Sequence, residues 1–439
     1  MQPTNIDDNK SIELTDEMKL ALEFAIESDS HIFITGKAGT GKTTFLRYLV
    51  SQLNKAKKNT VISAPTGIAA VNAQGVTLHS LFNIPFGPLN PETPPKENLS
   101  GFTIELLNKL DVLIIDEVSM VRPDVMDYIN RKLQIYRMCS EPFGGIQVIM
   151  FGDLYQLPPV VKADESRFLK LWYDGFNFYN AKIFSEVGFY VVELNKVFRQ
   201  NDEHFVGILN RIRECKTTED DLEDLAELRD RKQLDNFETS VHICTHRADA
   251  IRINKEKLGF PTHIYEASIK DDFPENSMPC EMKLSLRVGA RVMTLVNNKQ
   301  LGYYNGSVGT VKEITDKGVV VDFDSGVTAT VEQYTWEAYE YVYKDGKIEP
   351  EVKGSCMQMP LSLAYAITIH KSQGLTFDSA VIHIKRIFCP GQLYVALSRC
   401  RTMDKIYLDS FVKQRHLMMD EDLQKFEKQY RENEFYYKN

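Results

Sequence analysis

The residues best equipped for chemistry in this chain are Lys42 and Thr43, at the end of the run Gly36-Lys37-Ala38-Gly39-Thr40-Gly41-Lys42-Thr43-Thr44. The run fits G-x-x-x-x-G-K-[ST], a loop that holds nucleoside triphosphate phosphates. Its glycines let the backbone curl so that successive N–H groups point inward, where they and the following helix N-terminus bind phosphate oxygens. Gly36, Ala38, Gly39, Thr40, Gly41, Lys42, Thr43 and Thr44 are therefore the expected nucleotide contacts. Lys42 would reach the β- and γ-phosphates, and the Thr43 hydroxyl would ligate magnesium. Asp116-Glu117 follow the apolar run Val112–Ile115. There Asp116 could hold magnesium through water, and Glu117 could take a proton from an attacking water. Gln156, in Gly152-Asp153-Leu154-Tyr155-Gln156-Leu157-Pro158-Pro159-Val160, could orient that water. Arg199 and Arg399 lie far downstream, in a region with no phosphate loop of its own. Surface arginines are usually just solvated. Two supplied by a second lobe to a triphosphate held by the first would make hydrolysis depend on closure, and such arginine fingers are worth about 10³–10⁵ in rate.

The elements that must position these groups are legible as period and punctuation. His31–Thr35 before the loop reads as a buried strand, and Phe45–Val50 after it as a helix. Thr60–Ala64, Asp111–Ile115 and Gly145–Phe151 are further apolar runs. Strands alternating with helices predict a parallel sheet covered on both faces. Residues 85–95 carry five prolines, a surface excursion. A second α/β stretch is expected to open near Tyr190–Glu193, with strands at Val241–Thr245, Ala380–Ile384 and Lys405–Leu408. Between them, from Arg287 to Val331, short β-rich runs separated by Asn-Gly, Lys-Gly and Ser-Gly predict a small antiparallel barrel inserted in that unit. Six acids lie within Glu219–Glu227, but Leu222, Leu225 and Leu228 recur at helical spacing, so this is a solvated helix face. Met419, Leu423, Phe426 and Tyr430 form one stripe of a packed C-terminal helix.

The whole chain narrows the class. Its 439 residues allow two to four domains, and 43% hydrophobic with 26% charged residues is ordinary for a globular protein. A net charge of −9 supplies no global basic field, so a nucleic-acid partner would need a local groove. The seven cysteines, at 139, 215, 244, 280, 356, 389 and 400, are odd in number, scattered and never C-x-x-C, which argues against a disulfide framework or a zinc site. Met1–Leu14 is polar and acidic, without a signal-peptide core or presequence arginines, and no run is long enough to span a bilayer. A cytoplasmic location is the expectation.

The motifs occur in the order of superfamily 1 helicases: Gly36–Thr44, Ala64-Pro65-Thr66-Gly67-Ile68-Ala69-Ala70, Thr77-Leu78-His79-Ser80-Leu81-Phe82, Ile114-Ile115-Asp116-Glu117, Gly152–Val160, Ile369-His370-Lys371-Ser372-Gln373-Gly374 and Val395–Arg399. Together with Pro142-Phe143-Gly144-Gly145-Ile146-Gln147, they closely resemble the PIF family of DNA helicases, the branch that moves 5′ to 3′. The resemblance runs from about residue 14 to 410.

It implies an α/β fold of two RecA-like parallel-sheet lobes. The first would span 1–64 and 97–190, with a short wedge-like insertion at 65–96. The second would span 191–280 and 358–439, with the small β-barrel at 281–357. ATP with Mg2+ would sit between the lobes, and single-stranded DNA and single/double-strand junctions would lie across their tops. The chain would act as a monomer in the absence of DNA. Lys42, Glu117, Gln156, Arg199 and Arg399 take the catalytic roles, Thr43 and Asp116 the metal, Gln373 and Gly374 the nucleotide from the second lobe, and Thr66, Gly67, His79 and His370 the DNA. Duplex DNA is the implied substrate, with G-quadruplex DNA a further candidate. The resemblance departs at Met18, where the family often has the glutamine that reads adenine, so strict adenine selectivity is not implied. Phe82 and Phe86 are open between base stacking and core. Two other readings are a RecD-like recombination helicase subunit and a DNA-binding ATPase that unwinds nothing.

Overall fold

The computed structural model describes residues 14–432 except 86, 98, 199–201, 231–239, 274–277, 299 and 345–346. Its first unit is a six-stranded parallel sheet: β1 (Ile32–Gly36), β2 (Thr60–Ala64), β3 (Val76–Thr77), β4 (Val112–Ile115), β5 (Gln147–Gly152) and β6 (Tyr190–Leu194), in the order β3-β2-β4-β5-β1-β6. Strands buried on both faces read as unbroken apolar runs, and successive side chains go to opposite faces. Ile32 and Ile34 pack with Phe45, Leu46 and Leu49 on one face. Phe33, between them, packs with Leu113, Val148 and Met150 on the other. Phe82 is wholly buried in that second cluster, so it is core and does not stack on bases; Phe86 lies outside the described residues.

Tyr190–Leu194, expected to open the second unit, instead pairs in parallel with β1 at the edge of the first sheet. Its Val191 and Val192 serve opposite faces of that sheet, each in one of its two apolar clusters. The second unit is a parallel four-stranded sheet in the order Ala366–Thr368, Val241–Cys244, Ala380–His383, Ile406–Leu408. The expected strand regions recur with slightly shorter bounds.

Within the second unit the chain leaves as antiparallel structure. Arg291–Thr294, Val308–Thr315, Gly318–Phe323, Thr328–Val331 and Leu361–Leu363 form a five-stranded sheet. Its pairings among the described residues do not close a ring, so the expected barrel is present as a sheet. A long hairpin, Tyr334–Lys344 with Lys347–Gln358, adds Ser268–Asp271 as a third strand. The hairpin's Trp336 is buried in a small apolar cluster against which Val71 of the first unit also packs.

The C-terminal helix Glu421–Glu432 returns to the first unit. Phe426 stacks on Tyr179 with ring centroids 4.1 Å apart, Leu423 joins the first unit's core, and Asp422 accepts from Asn180 at 2.6 Å. No helix among the described residues is long and apolar enough to cross a membrane.

Candidate nucleotide and nucleic-acid site

The phosphate loop lies where the sequence puts it, between β1 and the helix Lys42–Lys55. Gly36 must be glycine: a Cβ there would meet Thr40 Oγ1 at 2.7 Å and the Leu194 carbonyl at 2.8 Å. Gly39 and Gly41 have positive φ, 86° and 80°, the left-handed conformation that curls the loop. The Lys42 ammonium donates to the carbonyls of Gly36 and Lys37 at 2.7 and 3.1 Å, so the cation sits at the loop's mouth. Thr40 is buried and bonds back to Lys37 O, while Thr43 and Thr44 expose their side chains at the helix's first turn.

Asp116 and Glu117 follow β4, at the carboxyl edge of the sheet that β1 also ends on, which is where open parallel sheets bind ligands. The Glu117 N–H donates to Asp116 Oδ1 at 2.9 Å. Glu117 holds a left-handed conformation, φ 51°, of the kind that a non-glycine residue keeps chiefly at functional sites. Burial raises the pKa of both carboxyls, and the charge of Asp116 adds to the rise at Glu117; Lys42 pulls each back down. Among the described residues no cluster of three or more His, Cys, Asp or Glu could cage a metal. One carboxylate with one hydroxyl, Asp116 with Thr43, suits a magnesium ion that keeps waters and phosphate oxygens as its other ligands.

The second unit meets this edge through side chains. Gln373 Nε2 approaches Gln156 Oε1 at 3.4 Å, so two predicted residues 217 positions apart share one contact. Arg399 is 1% exposed. Its guanidinium donates to the carbonyls of Val395 (2.7 Å), Ser372 (3.0 Å) and Leu375 (3.3 Å), binding it to the loop that carries Gln373 and Gly374. It also lies close enough to Glu117 to lower that carboxyl's pKa. Arg199 lies outside the described residues. The chain leading to it crosses the loop, where Phe198 N–H donates to Gly39 O at 2.9 Å.

Four residues that drew no role from the sequence complete the cleft. Asp153, 1% exposed, accepts from the Tyr155 N–H (3.2 Å), Gln156 Nε2 (3.3 Å) and Arg213 Nη2 (3.2 Å). Arg213 comes from the second unit's helix Glu203–Arg213 and lies 3.9 Å over the Tyr155 ring. Tyr394, from the second unit's helix Gln392–Leu397, accepts the Ala38 N–H at 2.8 Å and donates to Asp153 Oδ2 at 3.4 Å. Gly391, at the start of that helix, packs against the carbonyls of Tyr155 and Gln156. The one signal for Tyr394 was its place immediately before Val395–Arg399.

The predicted DNA contacts sit at helix starts. Thr66 caps Gly67–Ala73 by accepting from the Ala69 N–H at 3.3 Å, with Gly67 the first helical residue. His79 is half-buried in Leu78–Phe82, and His370 is half-buried in Ile369–Ser372. Burial lowers both pKa values, so both rings are neutral near pH 7. The prolines of 85–95 do not leave that segment loose. Leu89 N–H donates to Asp124 at 2.9 Å, and Arg122 and Lys132 donate to the carbonyls of Gly87 and Lys96 at 2.6 Å each.

Comparison with known proteins follows this geometry. The PIF1-like helicase profile matches residues 13–223. The ATP-dependent DNA helicase PIF1 of Xenopus laevis is 33% identical over 422 residues, which cover 92% of this chain and 62% of that protein. The chain thus spans about three-fifths of the length of the curated relatives matched first. The crystal structure of Bacteroides sp Pif1 in complex with ADP-AlF4 superposes with a TM-score of 0.91 at 51% identity, covering 98% of this chain and 99% of that one. Bacteroides Pif1 bound to ssDNA gives 0.70 at 52% identity, covering 96% and 97%.

Proposed function

The chain belongs to the PIF1-like helicase family, and from that premise we propose that it is an ATP-dependent DNA helicase, one that translocates 5′ to 3′ along single strands and unwinds duplex DNA. The observation that carries this reading is the meeting of Gln373 with Gln156 beside the phosphate loop. One lobe holds the triphosphate, and the other closes on it with amides and arginines.

Lys42, the loop amides and the helix N-terminus bind the phosphates. Thr43 and Asp116 would hold magnesium, which would supply positive charge to the phosphate oxygens. Glu117 accepts the proton of the attacking water, and Gln156 orients that water while bonded to Gln373. Arg199 and Arg399 supply positive charge when the lobes close, and Gly374 gives the Gln373 loop its turn, with φ 74°. Thr66 and Gly67 on the first lobe, with His79, and His370 on the second, contact the strand. Closure and reopening then ratchet the DNA between them. Single-stranded DNA is the binding partner, as it is of the Bacteroides relative bound to ssDNA, and junctions and G-quadruplex DNA are further substrates. We place the protein in the cytoplasm, as a monomer without DNA.

The test is phosphate release with and without single-stranded DNA, then unwinding of matched duplexes with a 5′ or a 3′ tail. DNA-stimulated hydrolysis and displacement from the 5′ tail alone are expected. Displacement from the 3′ tail alone overturns the polarity. Stimulated hydrolysis without displacement makes the chain an ATP-switched DNA-binding protein, and no stimulation overturns the reading altogether.

A further inference from the structure

We propose that Tyr394 is a positioning residue for hydrolysis: its hydroxyl registers the second-lobe helix that leads into Arg399 against the phosphate loop through Ala38 and Asp153. The inference rests on the ATPase reading above and extends it to a residue outside the matched motifs.

The geometry is specific. Tyr394 is 3% exposed, and its hydroxyl both accepts the Ala38 N–H at 2.8 Å and faces Asp153 Oδ2 at 3.4 Å. Burial and the neighbouring Asp153 charge raise its pKa well beyond that of an ordinary tyrosine, so the hydroxyl keeps the proton it directs at the carboxylate. Asp153 is the hub, taking Arg213 from a second helix of the same lobe. Tyr394 and Arg399 are rigidly coupled. Tyr394 stands on the helix Gln392–Leu397 and Arg399 in the turn two residues past its end, and the carbonyl of Val395, next to Tyr394, accepts Arg399 Nε at 2.7 Å. Fixing the tyrosine hydroxyl on the loop therefore fixes where the guanidinium approaches the triphosphate. Phenylalanine at 394 would keep the ring and its packing, while the buried Ala38 N–H would lose its partner and Asp153 one donor.

The experiment is Tyr394→Phe in the full chain, read by steady-state hydrolysis at saturating single-stranded DNA and by single-turnover hydrolysis of radiolabelled ATP. Transition-state positioning predicts that kcat falls about tenfold while KM for ATP moves less than about twofold. Since Tyr394 acts through Arg399, adding Y394F to R399A should change the rate by less than about twofold beyond R399A alone. A merely structural role would persist in the R399A background and appear as a lowered melting temperature in both. The proposal is overturned by a kcat within about twofold of wild type, by a KM effect with kcat intact, or by additivity with R399A. Should Y394F melt well below wild type, Arg213→Lys is judged by the same criteria, since it keeps a charge on Asp153 but loses the planar fork. A wild-type chain without DNA-stimulated hydrolysis refutes the function itself. An active wild type with an indifferent Y394F refutes only this inference.

Discussion

Gly391→Ala tests the lobe contact at its tightest point. A Cβ on Gly391 would lie 2.3 Å from the Gln156 carbonyl oxygen and 2.6 Å from that of Tyr155. Both neighbours are backbone, so no side chain can swing aside. Gly391 also has φ 77°, a conformation that costs an alanine about 1 kcal/mol. Ordinary contact requires the two surfaces to part by about 1 Å, and because each lobe is close-packed internally, separation at the lobe boundary is the cheapest relief. The Gln373–Gln156 approach, already 3.4 Å, would then no longer be a hydrogen bond. A misplacement of about 1 Å costs a reaction on the order of 10²-fold. The phosphate loop belongs to one lobe and stays intact. G391A is therefore expected to bind a fluorescent ATP analogue within a few-fold of wild type and to hydrolyse ATP on single-stranded DNA about 10²-fold more slowly. A kcat within about threefold of wild type, with an unchanged melting temperature, would show that the observed lobe contact is not the arrangement that hydrolyses ATP.

Three further outcomes follow from single positions. Phe426→Ala removes a ring that is 8% exposed and stacked on Tyr179, and should destabilise the fold by about 3 kcal/mol in a thermal melt while leaving hydrolysis at 25 °C unchanged; an unaltered melt would mean the C-terminal helix is not docked. His31 accepts the Val148 N–H at 3.2 Å, and burial lowers its pKa to about 4, so the fold holds a neutral ring that the unfolded chain protonates near 6.5. Its contribution is complete above 6.5 and declines as the pH drops toward 4, and His31→Gln should flatten the melting temperature over that window; an unchanged pH slope refutes the assignment. Met18 is buried beside Gly41 and Phe198 and offers a thioether where an adenine edge would need a donor and an acceptor. GTP should therefore support turnover within about tenfold of ATP, and a preference for ATP above about 10³ would place base recognition elsewhere.

What the sequence made legible was whatever depends on neighbours in the chain. Gly36–Thr44 carries its geometry in its own glycines, and Asp116-Glu117 is placed by the strand it ends. Strand runs such as Val112–Ile115 announce themselves by lying buried on both faces. What stayed hidden depends on which surfaces meet. Tyr190–Leu194 has the same texture whether it edges the first sheet or opens the second. The C-terminal stripe shows that its helix packs but not that Tyr179 and Phe189 of the first lobe receive it. Tyr394 drew no role from the sequence, and only a contact spanning 356 positions turns its hydroxyl toward Ala38.

The same contacts bear on how the lobes would part in the proposed cycle. The chain passes from first lobe to second after Leu194 and returns before Glu421, so the second lobe is tethered to the first at two points. Across the cleft the side-chain hydrogen bonds to Ala38, Asp153 and Gln156 run from 2.8 to 3.4 Å. Among the described residues, Ala38 and Leu157 of the first lobe join the second lobe's apolar cluster, and Val71 packs against the cluster around the hairpin's Trp336. The side-chain hydrogen bonds across the cleft are contacts that water can replace. A bound ligand shifts such an interface by its differential affinity for its two states. In the proposed cycle, a γ-phosphate that gains charge-assisted bonds from both lobes would favour closure, and its loss on hydrolysis would return the cleft to polar contacts that water can displace.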